Sequence, residues 1–237
     1  MKKLSIILMM SIIGSSLNAQ KVIEKTIDYN NQRIDVEVKF ASDITVKTWD
    51  KSTVYFKAEI MTEDEKYLDL YKLDVKESSN SIIITSRTKE IFKALQEERD
   101  KNRPDGKKRY YFTNQMYQFD YTLYVPKNAN FSVSSINGDL KAEIIEADFT
   151  ADLINGNIDI KKYDGNLELR TINGEIDLAI SNSQLTAETI HGNIYADEKL
   201  KLDVTDRHVG QKVEGRFNGA TNRLKLNTIN GNMYLRL

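Results

Sequence analysis

Apolar and polar positions alternate over much of the first half of the chain. Ile34, Val36 and Val38, then Ile44, Val46 and Thr48, then Val54, Phe56, Ala58 and Ile60 each alternate with charged or polar residues, the period of half-buried strands. Further strands are expected around Leu73–Val75 and Ile82–Ile84, on either side of the polar turn Glu77-Ser78-Ser79-Asn80-Ser81. Tyr117, Phe119, Tyr121, Leu123 and Val125 make the longest alternation, which Pro126 ends. One segment breaks the period: Ile91-Phe92 and Ala94-Leu95, followed by Gln96-Glu97-Glu98-Arg99-Asp100-Lys101, have helical spacing and propensity. The charged insertion 88–114 is therefore read either as a lid or partner-binding helix or as a solvated excursion from a hairpin.

In the second half the pattern becomes a repeat. Ile-(Asn/His)-Gly recurs as Ile136-Asn137-Gly138, Ile154-Asn155-Gly156, Ile172-Asn173-Gly174, Ile190-His191-Gly192 and Ile229-Asn230-Gly231, and the first four copies are 18 residues apart. A unit that begins one residue before Ile carries apolar side chains at its sixth position (Leu140, Ile158, Ile176, Ile194, Met233) and its eighth (Ala142, Ile160, Leu178, Ala196, Leu235). Phe149, Leu167 and Leu185, two residues ahead of Ala151, Leu169 and Ala187, mark a second strand late in the unit. The interval after Gly192 is longer. Leu200, Leu202 and Val204 restore the late-strand alternation, a Gly-rich loop spans 205–222, and Leu224 and Leu226 lead into the last copy.

Two folds accommodate this pattern. Asn-Gly between alternating apolar residues is a hairpin signal, so an antiparallel β-meander is one reading. The other is a single-stranded parallel β-helix, or β-solenoid, with coils of 18 residues in which Ile stacks on Ile, Asn on Asn and Gly on Gly. The repetition of whole columns favours the solenoid, since like asparagines one strand spacing apart form a hydrogen-bonded ladder. In that reading the isoleucines point inward and Gly supplies a left-handed corner. The fold is expected to be all-β: a signal peptide over 1–19, an N-terminal β domain over 20–133 and the repeat solenoid over 134–237.

The leader is read from Lys2 and Lys3, the apolar run Leu4 to Ile13, and the small residues up to Ala19, the layout of a secretory signal. No later stretch is long and apolar enough to span a bilayer. The chain has 34 basic and 35 acidic residues, a balance that gives no electrostatic footprint for nucleic acid. Zero cysteines exclude disulfides, thiolate metal sites, a cysteine nucleophile and a lipid-modified cysteine.

The segments Leu123-Tyr124-Val125-Pro126 and Phe131-Ser132-Val133-Ser134-Ser135-Ile136-Asn137-Gly138-Asp139-Leu140, with the later Thr-Ile-Asn-Gly units, resemble the bacterial "putative adhesin" family of exported β-solenoids. Asp43-Ile44-Thr45-Val46-Lys47-Thr48-Trp49-Asp50 followed by Val54-Tyr55-Phe56 is similar to the N-terminal portion of that family. The resemblance implies an envelope-associated, non-catalytic β-helix linked to surface attachment or envelope-stress signalling, and it brings no catalytic residues. The insertion 88–114 and the loop 205–222 depart from it.

Candidate chemistry is sparse. Asp159 and Asp177 share the seventh column, one coil apart, a separation compatible with the coupled carboxylates of a polysaccharide lyase or hydrolase. Lys141, Tyr195 and Tyr234 interrupt that column, so no run of acids forms a metal site. Tyr195 and Tyr234 either stack on a sugar ring or pack against the 205–222 loop. His191 and His208, the only histidines, fall in different coils.

The function expected is a binding or adhesion-type scaffold in the periplasm or at the cell surface, with an envelope protein or a glycan as partner and no cofactor. A polysaccharide-active enzyme and an envelope-stress signalling subunit are the alternatives. Because the chain stops at Met233-Tyr234-Leu235-Arg236-Leu237 within a strand, its open end needs a cover, either the 205–222 loop with Phe217 as a plug or a second molecule. The self-covered monomer is preferred. N-terminal sequencing of the protein recovered from cells is expected to begin at Gln20, whereas Met1 would remove the export assignment.

Overall fold

A computed structural model describes residues 19–101, 117–206, 209–217 and 219–237. Residues 1–18 of the expected leader and His208 lie outside the described residues, as do residues 102–114 of the 88–114 insertion. The chain opens with β1 (Ala19–Asp28), β2 (Arg33–Glu37), β3 (Phe40–Trp49) and β4 (Thr53–Thr62), then a 3-10 turn over Glu65–Leu70. Next come β5 (Lys72–Glu77), β6 (Ser81–Arg87), α1 (Lys89–Lys101) and β7 (Tyr117–Pro126). The repeat supplies β8 (Asn130–Ile145), β9 (Asp148–Asn155), β10 (Ile158–Tyr163), β11 (Leu167–Asn173), β12 (Ile176–Ala179), β13 (Ser183–Thr189) and β14 (Ile194–Ala196). β15 (Asp203–Asp206), β16 (Gln211–Arg216), β17 (Asn222–Thr228) and β18 (Met233–Arg236) complete it.

These strands form one hydrogen-bonded network with two ladders that meet in β8. The first runs β5, β6, β2, β8, β9, β11, β17, β13, β16, β15, and its strands from β6 to β13 are parallel neighbours. The second runs β1, β4, β7, β3, β8, β10, β12, β18, β14, parallel from β7 onward. The arms flanking each Asn-Gly turn thus belong to different ladders and do not pair with one another, which removes the hairpin reading of these turns. The inward residues of both ladders, from Ile27 to Leu235, make a single apolar cluster. β8 passes without a break through residues 133 and 134, where the sequence pattern changes.

The motif Thr-Ile-Asn-Gly has a separate physical reason at each position. Thr171, Thr189 and Thr228 are buried, and their hydroxyls donate to the carbonyls of Gly156, Gly231 and Gly174 at 2.9, 3.1 and 3.0 Å, so these three hydroxyls are paired inside. Asn155 donates to Asn137, Asn173 to Asn155 and Asn230 to Asn173, at 3.0, 2.8 and 2.8 Å. A Cβ on Gly156 would lie 2.1 Å from the Gly138 carbonyl oxygen, one on Gly174 2.0 Å from that of Gly156, one on Gly231 1.9 Å from that of Gly174, and one on Gly192 2.0 Å from that of Gly231. Among these five only Gly138 has a positive φ, +115°. The recurring glycine is therefore required by close stacking of backbone, and the left-handed corner holds for the first copy alone.

The isoleucines point outward, contrary to the inward orientation expected from the repeat. Ile154, Ile172, Ile190 and Ile229 are 38–46% exposed, while the residue before each is buried. The reason is strand phase. Phe149, Ala151 and Leu153 occupy one face of β9, and the next residue, Ile154, must face the other.

The fifth copy is not the last rung. β17 lies between β11 and β13, and β18 between β12 and β14, so the C-terminal segment is inserted between the third and fourth copies. The free end expected at β18 does not exist, since it has a partner on both sides. The Gly-rich loop is a hairpin, β15–β16, and β16 pairs antiparallel with β13, the terminal rung of its ladder. Val213 is buried there, and the partly buried Phe217 packs against the apolar core cluster. Leu200 and Leu202 lie outside any strand, and Val204 is exposed on β15.

The insertion is anchored to the core at its start. α1 buries Ile91 and Leu95, and the Phe92 ring meets Phe40 edge-on at 4.6 Å and Tyr117 at 5.0 Å. Glu98 accepts hydrogen bonds from Tyr67 and Lys66, and the ammonium of Lys66 holds its carboxyl below the usual range.

Leu169→Ala, at a fully buried position, is expected to cost about 2–5 kcal/mol through lost transfer energy and a cavity. Ile172→Ala, at an exposed one, should cost about 1 kcal/mol, both read from urea unfolding. Equal losses would place the isoleucines in the core.

Candidate binding face

The second ladder exposes an outer face whose positions are fixed by register. Lys141 lies beside Asp159, Asp159 beside Asp177, Asp177 beside Tyr234 and Tyr234 beside Tyr195. All four residues singled out from the sequence therefore share one row, in an order the sequence does not give, because β18 enters between β12 and β14. At about 4.8 Å per strand the row is about 19 Å long. The rings of Tyr195 and Tyr234 stack on each other, 5.4 Å apart and 15° from parallel, and Tyr195 is 51% exposed. The β15–β16 hairpin is joined to β13, in the other ladder, and its Gln211 side chain accepts from the Ile194 backbone N–H, next to Tyr195, at 2.9 Å.

Both carboxylates of the row are held by bases. Lys161 donates to the two oxygens of Asp159 at 2.6 Å each, and the Arg236 guanidinium lies against Asp177. Tyr234 donates to Glu175 at 3.4 Å, and Asn193 donates to the Tyr195 hydroxyl at 3.4 Å. Such a row can present a ring face beside two base-paired carboxylates to a ligand.

A neighbouring row is acidic: Glu59, Asp120, Asp43 and Asp139 follow one another across β4, β7, β3 and β8. Burial raises the Asp120 carboxyl, and the charge of Asp43 adds to it. Lys141 donates to Asp43 at 2.5 Å, which in turn raises the Lys141 ammonium. No group of three or more His, Asp or Glu side chains is arranged to hold a metal among the described residues. His191 stands in the asparagine row on the terminal rung, next to Asn230, at a distance along the chain fold from the acids.

Two features of the surface were not legible in the sequence. One is a groove of about 320 Å³ beside the outward isoleucines, where Ile172, Ile190 and Ile229 face Val209. The other is an aromatic cluster on the same face as the tyrosine pair but at its opposite end, formed by Trp49, Tyr55 and Tyr124. Each occupies an outward position in the alternation that marks β3, β4 and β7, so strand phase accounts for its partial exposure. What it could not supply was their adjacency, which depends on β7 lying between β3 and β4.

No family model and no curated protein matches the chain. Among solved structures, it superposes over 92% of its length on 99% of a putative cell adhesion protein from Clostridium sporogenes, with a TM-score of 0.58 and 10% identity. A putative adhesin from Bacteroides fragilis aligns over 91% of this chain and 97% of its own at 9% identity, with a TM-score of 0.38. No helix among the described residues is long and apolar enough to cross a membrane. The protein is all-β and has the same overall fold as the Clostridium sporogenes protein.

Proposed function

We propose that this is an exported, non-catalytic binding scaffold of the bacterial envelope, whose repeats close into a single-stranded parallel β-solenoid and whose outer face receives a glycan or an envelope protein. The observation that carries the reading is the row Asp159, Asp177, Tyr234, Tyr195, in which each acid is neutralised by its own base and a stacked ring pair stays open to solvent. An acid–base pair needs one carboxyl free to protonate a leaving group, and neither is free here. The in-register parallel ladders support the solenoid, and the fold shared with a protein named for cell adhesion agrees with the role. With β16 covering β13, the scaffold is taken as a monomer.

Two measurements test this. Acidic polysaccharides incubated with the protein, with and without Ca²⁺, are expected to release neither unsaturated nor reducing ends. Turnover lost on Asp159→Asn or Asp177→Asn would establish the enzyme instead. On an array of envelope glycans and proteins, Tyr195→Ala with Tyr234→Ala is expected to weaken retention about tenfold or more, the energy of an exposed aromatic contact pair. Unchanged retention would remove the row from the binding site.

A further inference from the structure

The Trp49, Tyr55 and Tyr124 rings meet one another at 4.9 to 6.2 Å, and all three are partly exposed on the outer face of β3, β4 and β7. The cluster is held in place: Trp49 Nε1 donates to the Thr53 carbonyl at 2.7 Å, and Tyr55 and Tyr124 are direct cross-strand partners. Aromatic neighbours across a sheet are worth up to about 1 kcal/mol in stability, and that alone would explain the tyrosines. It does not explain the charges around them. Lys51 Nζ stands 4.5 Å from the centre of the Trp49 ring and Lys47 Nζ 5.4 Å from that of Tyr124. Neither lysine makes an ion pair among the described residues. The other lysines nearby are neutralised, Lys57 by Glu59 and Lys127 by Asp50 and Glu146. Glu24 faces the Tyr55 hydroxyl, next to Lys57. The patch thus combines three partly exposed rings with two ammonium groups that make no ion pair among the described residues and lie over two of those rings.

We propose that Trp49, Tyr55 and Tyr124 form a platform for a pyranose ring that carries a carboxylate, with Lys47 and Lys51 as its counter-ions. A sugar ring presents axial C–H bonds to the negative face of an aromatic ring, and the two ammonium groups, moved aside from the Trp49 and Tyr124 faces they lie over, reach a carboxylate on the same sugar. An uncharged sugar would leave the lysines without a role, and a folded protein partner would need a contact far wider than three rings. This site is separate from the Tyr195–Tyr234 row and does not require that the row bind anything.

Trp49 is the only tryptophan in the chain, so its emission reports on this site directly. Titration with a tetrasaccharide of galacturonic acid is expected to change that emission saturably, while an uncharged tetrasaccharide of glucose leaves it unchanged. Lys47→Gln with Lys51→Gln, at exposed positions that keep the fold, should weaken binding about tenfold or more and remove most of its salt dependence. Tyr124→Ala should weaken it similarly, and Lys72→Gln, at an exposed position of β5 outside both aromatic sites, should have no effect, which ties the response to this cluster. Absence of a saturable change, an equal response to the neutral sugar, or a response only to anionic phospholipid vesicles would each overturn the proposal.

Discussion

The approach of backbone to backbone at the glycine corner is the constraint on which the other features depend. With the carbonyl oxygen of one glycine about 2 Å from where the next glycine's Cβ would be, no side chain is possible in that column. Once the corner is that tight, the preceding residues are specified too. A buried hydroxyl satisfies the glycine carbonyl from inside, an amide bridges to its neighbour outside, and the residue between them is left facing water. The isoleucine in that place contributes β propensity and lateral contact along its column rather than core volume.

Because every rung meets its neighbours through the same contacts, rungs are interchangeable, and the chain uses this. The C-terminal copy enters between the third and fourth, with Gly231 stacked on Gly174 and Gly192 on Gly231. The insertion has two results. It brings Tyr234 beside both Asp177 and Tyr195, which composes the candidate binding row. It also leaves β13 as the terminal rung of its ladder, where β16 supplies the cover that an exposed edge needs.

Strands with strict alternation were legible in the sequence, since the period of two survives wherever one face is buried and the other is wet; β2, β3, β4, β6 and β7 all follow it. β1 was not, because its outward Val22 and inward Ile23 blur the period. The rows of the repeat were legible, and so was the membership of Asp159, Asp177, Tyr195 and Tyr234 in one of them. The facing of the isoleucines was not, because the phase at the corner is set by the late strand before it and not by the early strand after it. Nor was the rung order, since Leu185, Ala187 and Thr189 occupy the columns of Leu224, Leu226 and Thr228 and nothing local distinguishes them. The one sign was His191: an inner rung needs an amide that both donates and accepts along the ladder, and a terminal rung does not.

Rung order is the central structural claim, and the absence of native cysteine makes it open to a direct measurement. In the stack, positions 173 and 230 are adjacent at about 4.8 Å, while 173 and 191 are two strands apart at about 9.6 Å, and a disulfide bridges Cα atoms only up to about 7 Å apart. Oxidation of the double variant Asn173→Cys with Asn230→Cys is predicted to give an intramolecular disulfide, detected by mass spectrometry, and Asn173→Cys with His191→Cys is predicted to remain reduced. Efficient oxidation of the second pair and not the first would show that the copies stack in sequence order and would contradict the inserted C-terminal rung.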